Sequence, residues 1–366
     1  MKVLICAGGT GGGVYPALAV HNALKTVLPM TEILWVGGEG GMETVLVNRA
    51  RIPFKSIPAA GIHGVSLRQL PGNIITNLRG LKSAYDILRD FKPDAIFYTG
   101  GFVALPLSLV GWKIPSVMYV PDIEPGLALK SLSHIVRRIT VTSEDSRQYF
   151  SKNAPVVVTG YPVRQELTVW SKNSAREHFG LHDDRAVLLI FGGSKGARSI
   201  NKALLANLQE LIEFAEIIHI TGDLDWAEVE ASSKSIPAQL SEYYHTFRYL
   251  HEDMGAALAA ADLVVSRAGA SILGEFPLFG LPAILIPYPH AWRYQKVNAD
   301  TLASKGAAII LDDSKSGNDL CPLIKRLLND PEKLNHMSAA MKKFASPNAA
   351  KMIADQLISL GEEDHD

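Results

Sequence analysis

The stretch LICAGGTGGGVYPALAV, residues 4–20, passes from a short apolar run into five glycines within six positions and then into a helical pattern. A buried strand that turns through glycines into a helix is how a doubly wound α/β domain begins. Gly8, Gly9, Gly11, Gly12 and Gly13 let backbone N–H groups approach a ligand with no Cβ in the way, and a helix beginning near Val14 adds the positive end of its dipole. Such a loop suits an anion or a sugar diphosphate. It is not a P-loop, because no GK[ST] follows, and its glycines miss the G-x-G-x-x-G register. A dinucleotide site also wants an acid at the end of its second strand, where LWVGG places glycines and Glu39 follows late.

The pattern returns once. LLIFGGSKGAR, residues 188–198, is again a buried strand, a Gly-Gly pair and a helix start. Between and beyond the two copies, β-rich runs such as EILWVGG, DAIFYTGG, PSVMYV, EIIHITG, LVVSR and AILIPY alternate with amphipathic stretches. Strand–helix alternation of this kind implies parallel sheets covered by helices on both faces. The expected fold is therefore α/β, two doubly wound Rossmann-like domains facing a central cleft, into which both glycine loops open beyond the carboxyl ends of the strands. The segment TGYPVRQEL, residues 159–167, reads as the hinge, dividing an N-terminal domain, 1–163, from a C-terminal domain, 164–345. A helix over 346–361 is expected to pack back on the first domain.

Length and charge agree with this reading. At 366 residues the chain is too long for one ordinary core and suits two domains. Lys plus Arg at 36 against Asp plus Glu at 37 leaves a formal charge of -1, so no global field draws the protein to nucleic acid. Cys6 and Cys321 are the only cysteines, with no CxxC, which fits a reducing, cytoplasmic compartment and argues against structural zinc. No apolar run approaches the ~18 residues of a membrane span.

The second glycine loop also admits another reading. Gly192, Ser194 and Gly196 spell G-x-S-x-G between a strand and a helix, the setting of a hydrolase nucleophile elbow, with His290 and several acids following. That reading predicts one sheet with one site, whereas the repeat predicts phosphate binding by Ser194 and nearby N–H groups. DLD, residues 223–225, has the form of a metal-binding D-x-D, but standing before WAEVEASSK it is expected to cap a helix N-terminus.

SRAGASILGEFPLFGLPAILIPYPHAWRYQKVNA, residues 266–299, contains a third helix start at Gly269 to Ser271, with Glu275 one turn in, placed to accept hydrogen bonds from two ribose hydroxyls. Gly280 ends that helix, and the loop after AILIP carries His290, Arg293, Gln295 and Asn298. Residues 68–92 interleave Leu70, Ile74, Ile75, Leu78 and Leu81 with Arg68, Arg79, Lys82, Arg89 and Lys92, a pattern that fits docking on an anionic membrane surface or packing on the protein's own sheet.

Together these segments resemble the glycosyltransferase-B fold family, and within it the inverting transferases that add GlcNAc to an undecaprenyl-diphosphate-linked muramoyl-pentapeptide. The shared pieces are GGTGG with PALAV, GGFV at 100–103, YPVR at 161–164, GGSKGAR with IN, EDM at 252–254, SRAGA with Glu275, and GLPAILIPYPH with Gln295 and NA, so the likeness spans nearly the whole chain. The resemblance implies UDP-GlcNAc as donor, a lipid-diphosphate-linked muramoyl-peptide as acceptor in peptidoglycan synthesis, no cofactor and no obligatory metal, and peripheral attachment to the cytoplasmic side of the cell membrane. Carried over by motif, Thr10, Gly11 and Gly12 face the donor sugar and diphosphate, Arg164 and Ser194 contact the donor, and the backbone near His251 reads the uracil edge. Ala270, Ser271, Ile272, Leu273, Gly274 and Glu275 hold diphosphate and ribose, and Gln295 meets GlcNAc hydroxyls.

The chain departs from the family at two places. Gly13 stands where relatives carry His, and Tyr119, Val120, Pro121 and Asp122 stand where they carry HEQN. Neither Gly13 nor Val120 can take a proton. Asp122 and Glu124, in YVPDIEPG, are the carboxylates expected to supply the catalytic base, with Asp122 also a donor contact.

Overall fold

The computed structural model describes residues 1–9, 11–61, 68, 70–193, 196–290 and 293–363. The chain divides into two compact units, Met1–Arg164 with Ser346–Asp366, and Gln165–Ala345.

In unit 1 the strands are β1 (Lys2–Cys6), β2 (Glu32–Gly38), β3 (Phe54–Ile57), β4 (Ala95–Tyr98), β5 (Ser116–Val120), β6 (Arg138–Val141) and β7 (Val156–Val158). They form one parallel sheet in the order β3-β2-β1-β4-β5-β6-β7. Ile5 of β1 is in register with Trp35 on one side and Phe97 on the other. Every residue of β4 and β5 is buried, because helices cover both faces; such strands read as unbroken apolar runs instead of alternating ones.

Unit 2 repeats the plan with β8 (Val187–Phe191), β9 (Glu216–Ile220), β10 (Tyr244–Phe247), β11 (Leu263–Ser266), β12 (Ala283–Leu285) and β13 (Ala308–Ile310). Their parallel order is β10-β9-β8-β11-β12-β13, the order of the first six strands of unit 1. The two glycine motifs thus follow equivalent strands, β1 and β8. Strand order reverses beside each of them, between β1 and β4 and between β8 and β11, and in open α/β sheets that reversal is where ligands bind. The nucleophile-elbow reading of residues 192–196 required one sheet with one site. Two sheets, each with its own reversal point, overturn it.

The helix after β1 covers Gly11–Val27, three residues more than the sequence pattern gave. Glycine is a poor helix former, costing ~1 kcal/mol against alanine. At Gly13 close packing prevails: a Cβ there would lie 3.3 Å from Thr99 Oγ1 and 3.4 Å from its carbonyl oxygen. At the other end of the chain, the helix Ala349–Glu363 packs on Gly11–Val27 and on β4 and β5. Ile353, Ala354 and Leu357 are fully buried there, and Arg138 of β6 donates through Nη1 to the Gln356 Oε1 at 3.1 Å.

Candidate active site

In unit 1 the loops after β1, β2 and β4 meet. Gly101, with φ at +87°, passes so close to the first loop that a Cβ would stand 2.9 Å from the Gly8 carbonyl oxygen; both the left-handed backbone and the contact call for glycine. Glu43, the first residue of the helix Glu43–Arg49, points back under the loops. Its Oε1 accepts from Gly38 N at 2.7 Å and its Oε2 from Gly9 N at 3.3 Å. Burial, and then the charge of Glu43, push the Cys6 thiol well above its ordinary range, so this cysteine remains a protonated core residue.

The start of Gly11–Val27 is roofed by an aromatic ring. A Cβ at Gly11 would be 3.1 Å from the Tyr15 ring, and the Arg164 guanidinium lies 4.2 Å from that ring's centre. Arg164 is therefore held beside the glycine loop of its own unit by stacking on Tyr15.

Beyond β5 lies the candidate base loop. Tyr119 is fully buried, its hydroxyl 2.6 Å from Thr142 Oγ1, and burial raises its phenol well above the usual range. Thr142 donates to the carbonyls of Val120 (3.1 Å) and Pro121 (2.8 Å), fixing the backbone on which Asp122 stands. Asp122 is half-buried, while Glu124 is 2% exposed and receives Lys130 Nζ at 3.2 Å. The two carboxylates are thus unlike: Asp122 is reachable from solvent, and Glu124 is committed to an internal ion pair.

In unit 2 the stretch after β11 is braced from three sides. Arg267 Nη1 donates to Asp313 Oδ1 at 2.6 Å and to the Ile286 carbonyl at 3.1 Å, and its Nη2 donates to Ser199 Oγ at 2.8 Å. Ser199 lies in the first turn of the helix Arg198–Leu205, so one guanidinium ties the helix after the second glycine loop to the ends of β11 and β12. Asn298 Nδ2, fully buried, donates to the Ala268 carbonyl at 3.1 Å. Ala270–Leu273 forms a 3₁₀ turn, Gly274 caps the next helix, and Glu275 is its first residue, 6% exposed. Gly280, at φ +60°, closes that helix. Gln295 Oε1 accepts from Tyr288 N at 2.8 Å, and His251 is exposed with its ring 4.5 Å from that of Tyr249.

The glycosyltransferase family 28 N-terminal domain matches residues 3–141, and the family 28 C-terminal domain matches residues 187–353. The chain is 38% identical, over 98% of its own length and 95% of the relative's, to a UDP-N-acetylglucosamine–N-acetylmuramyl-(pentapeptide) pyrophosphoryl-undecaprenol N-acetylglucosamine transferase of Roseiflexus sp. strain RS-1. The chain belongs to glycosyltransferase family 28. The enzyme of the same name from Desulforamulus reducens is 37% identical over 95% of this chain and 96% of its own. Among solved structures, the Acinetobacter baumannii MurG crystal structure superposes with a TM-score of 0.77 at 27% identity, covering 98% of this chain and 99% of that one. The fold is of the glycosyltransferase-B type, as the sequence implied.

Within this family 28 glycosyltransferase, the structure brings Gly11 and Arg164 together through Tyr15, and gathers Ala270–Gly274 and Glu275 at the end of β11. Gly12 lies in the first turn of Gly11–Val27. Thr10 and Ser194 lie outside the described residues. Asp225 does not cap its helix as the sequence suggested. No side-chain cap hydrogen bond forms; Asp225 Oδ2 accepts from Asn201 Nδ2 at 2.8 Å, and its Oδ1 is 3.3 Å from Arg198 Nε. Two residues went unremarked in the sequence reading. Arg267 carried one signal, a charged residue directly after an apolar strand, and Glu43 carried only the glycines around it.

An exposed apolar surface adjoins the site of unit 1. The helix Leu70–Phe91 packs on Ala104–Val110 and leaves Ile74, Ile75 and Leu78 exposed, with Arg79 and Lys82 beside them at helical spacing. Phe102, 62% exposed, belongs to the same region. Gly61 links Phe102 to the helix: its carbonyl accepts from Asn73 Nδ2 at 2.7 Å, and a Cβ on it would stand 3.0 Å from the Phe102 ring. Among the described residues no helix is long and apolar enough to cross a membrane.

Proposed function

We propose that the chain transfers GlcNAc from UDP-GlcNAc to an undecaprenyl-diphosphate-linked muramoyl-pentapeptide, with inversion at the anomeric carbon, as a step of peptidoglycan synthesis. The observation that carries this reading is identity of 38% to a transferase of that name across 98% of the chain. In the displacement, an acceptor hydroxyl forms the new bond to the anomeric carbon on the face opposite UDP. The bond to the diphosphate oxygen breaks, its electron pair leaves with UDP, and the hydroxyl proton passes to a base. Unit 2 is the donor side: Ala270–Gly274 present backbone N–H groups to the diphosphate, Glu275 takes the ribose hydroxyls, and Gln295 the sugar. Arg164 and the Gly11–Gly12 helix start add positive potential for the charge that develops on departing UDP, and the neutral hydroxyls of Thr10 and Ser194 donate hydrogen bonds to the donor. Uracil is read near His251.

Asp122 fits the base better than Glu124 does, because Glu124 is buried against Lys130 whereas Asp122 meets solvent at the carboxyl end of β5. The exposed Ile74, Ile75 and Leu78 with Arg79 and Lys82 suit a peripheral seat on the anionic inner face of the membrane, where the lipid acceptor is found. A second reading, binding of nucleotide sugar without turnover, is favoured by Gly13 and Val120, neither of which bears a proton acceptor. UDP release from UDP-GlcNAc, measured with and without the lipid-linked muramoyl-pentapeptide, separates the two. Release that depends on that lipid supports transfer; UDP-GlcNAc binding with no release under either condition supports the second reading.

A further inference from the structure

Tyr119 and Asp122 stand at two of the positions where the chain departs from its relatives, and a side chain from the neighbouring strand joins them. Tyr119, near the carboxyl end of β5, is fully buried, and its hydroxyl lies 2.6 Å from Oγ1 of Thr142, the residue that follows β6. The same Oγ1 is 2.8 Å from the Pro121 carbonyl and 3.1 Å from that of Val120. Carbonyls only accept. The single hydroxyl proton of Thr142 is therefore directed to them, which leaves the Tyr119 hydroxyl to donate to Thr142. Burial raises the Tyr119 phenol well above its usual range, the bond to Thr142 opposes this, and the charge of Asp122 adds to it, so the donor keeps its proton.

The consequence falls on Pro121. Its ring sets φ, and the bond from Thr142 to its carbonyl sets ψ. The Pro121 carbonyl and the Asp122 N–H belong to one planar peptide, so holding the first aims the second the opposite way. Tyr119 is braced in turn by the edge of Tyr161, 2% exposed, with ring centres 6.3 Å apart and planes at 71°. Phenylalanine at 119 and valine at 142 would fill the same space without two hydroxyls to satisfy. What the hydroxyls add is direction.

We propose that Tyr119 and Thr142 are positioning residues for the transfer: together they fix the Pro121–Asp122 peptide and so hold the Asp122 carboxylate where the acceptor hydroxyl can lose its proton to it. This rests on the function proposed above, in which Asp122 is the base. A base held in place needs no search at the moment of transfer, and misplacement of the loop is felt in turnover before it is felt in binding.

The test uses full-length Thr142→Val, Thr142→Ser and Tyr119→Phe. Thr142→Val keeps the shape and removes the donor, so kcat should fall about ten- to hundredfold, while KM for both substrates and UDP affinity by calorimetry stay at wild-type values. Thr142→Ser should recover most of the loss, and Tyr119→Phe should show a smaller one. In an Asp122→Asn background Thr142→Val should add little, because both changes act on one proton transfer. Unchanged kcat in Thr142→Val, or the same fractional loss with and without Asp122, overturns the proposal. So does a fall in UDP affinity and melting temperature that Thr142→Ser shares, which marks a packing role. If the wild-type chain transfers nothing, or Asp122→Asn transfers as fast as wild type, the functional reading falls on its own account. The ¹⁵N–¹H resonance of Asp122 then decides the positioning role, which stands if Thr142→Val displaces it and Thr142→Ser does not, and falls otherwise.

Discussion

Nε2 of His219 lies 2.9 Å from Oδ1 of Asn201, in the fully buried interior of unit 2. The Asn201 amide nitrogen donates to the Thr221 carbonyl and to Asp225, so its oxygen faces the ring and the imidazole donates from Nε2. Nδ1 then accepts from the Tyr244 hydroxyl at 2.8 Å. The neutral ring satisfies both partners. A second ring proton would face a hydroxyl turned the wrong way, and burial pushes the imidazole down to about 3.

This makes stability pH-dependent with a definite sign. The unfolded histidine, at ~6.5, binds a proton that the folded one refuses, so the contribution of His219 is full above that pH and lost as pH falls towards 3. Between pH 7 and pH 5, urea unfolding of the wild type should lose about 2 kcal/mol more than that of His219→Gln. Parallel losses in the two proteins would mean that His219 is not the titrating group.

Substitution of the two loop carboxylates should give unlike results. Asp122→Asn should lower turnover by about 10²–10⁴-fold with UDP affinity retained, since a base acts on the transition state and not on ground-state binding. Glu124→Gln leaves Lys130 without its partner, and its main expected effect is a lower melting temperature. If neither variant slows transfer by more than about tenfold, the proton leaves by another route.

Glu275→Ala should weaken UDP by roughly 1.5–3 kcal/mol, or about 10- to 150-fold, for each hydrogen bond lost between a charged group and a ribose hydroxyl. Because Glu275 is only 6% exposed, Glu275→Gln serves as the control of similar volume. Calorimetry with UDP and with 2′-deoxy-UDP tests the contact directly. Equal affinity of both nucleotides for the wild type removes Glu275 from the ribose.

Reversing Arg79 and Lys82 to glutamate should reduce co-sedimentation with anionic vesicles by more than tenfold, given ~1 kcal/mol per basic residue near such a surface. Neutral vesicles should bind both proteins weakly. The result that removes this face from the membrane is unchanged sedimentation on anionic lipid.

The parts of the fold that sequence made legible are those whose cause is local. β1 and β8 are recognisable because burial on both faces demands an apolar run, and the glycines after them mark where each strand must turn. Gly280 was legible for the same reason, as the residue that closes a short helix, whereas the helix start expected at Gly269 to Ser271 is a 3₁₀ turn and the helix itself opens at Glu275. Where tertiary partners decided, local signals misled. Asp225 has the residue type and place of a helix cap, yet Asn201 and Arg198 claim its oxygens. The glycine loop invited a ligand for every bare position, but Gly8 is bare because Glu43 fills the space beside it, and Gly13 because Thr99 does. Glu43 itself was invisible, since its partners Gly9 and Gly38 lie on two different loops that only the folded sheet brings together.

Because Ala349–Glu363 returns to cover Gly11–Val27, the ribosome cannot finish the first-made unit until it has made that helix. Unit 2 is continuous, Gln165–Ala345, and is complete before translation ends. At roughly 5–20 residues per second, the span from Gln165 to Glu363 takes on the order of 10–40 s. Throughout that time the seam that Ile353, Ala354 and Leu357 will bury stands open on the nascent chain. A chaperone that attends the birth of this enzyme has that surface, and that interval, in which to act.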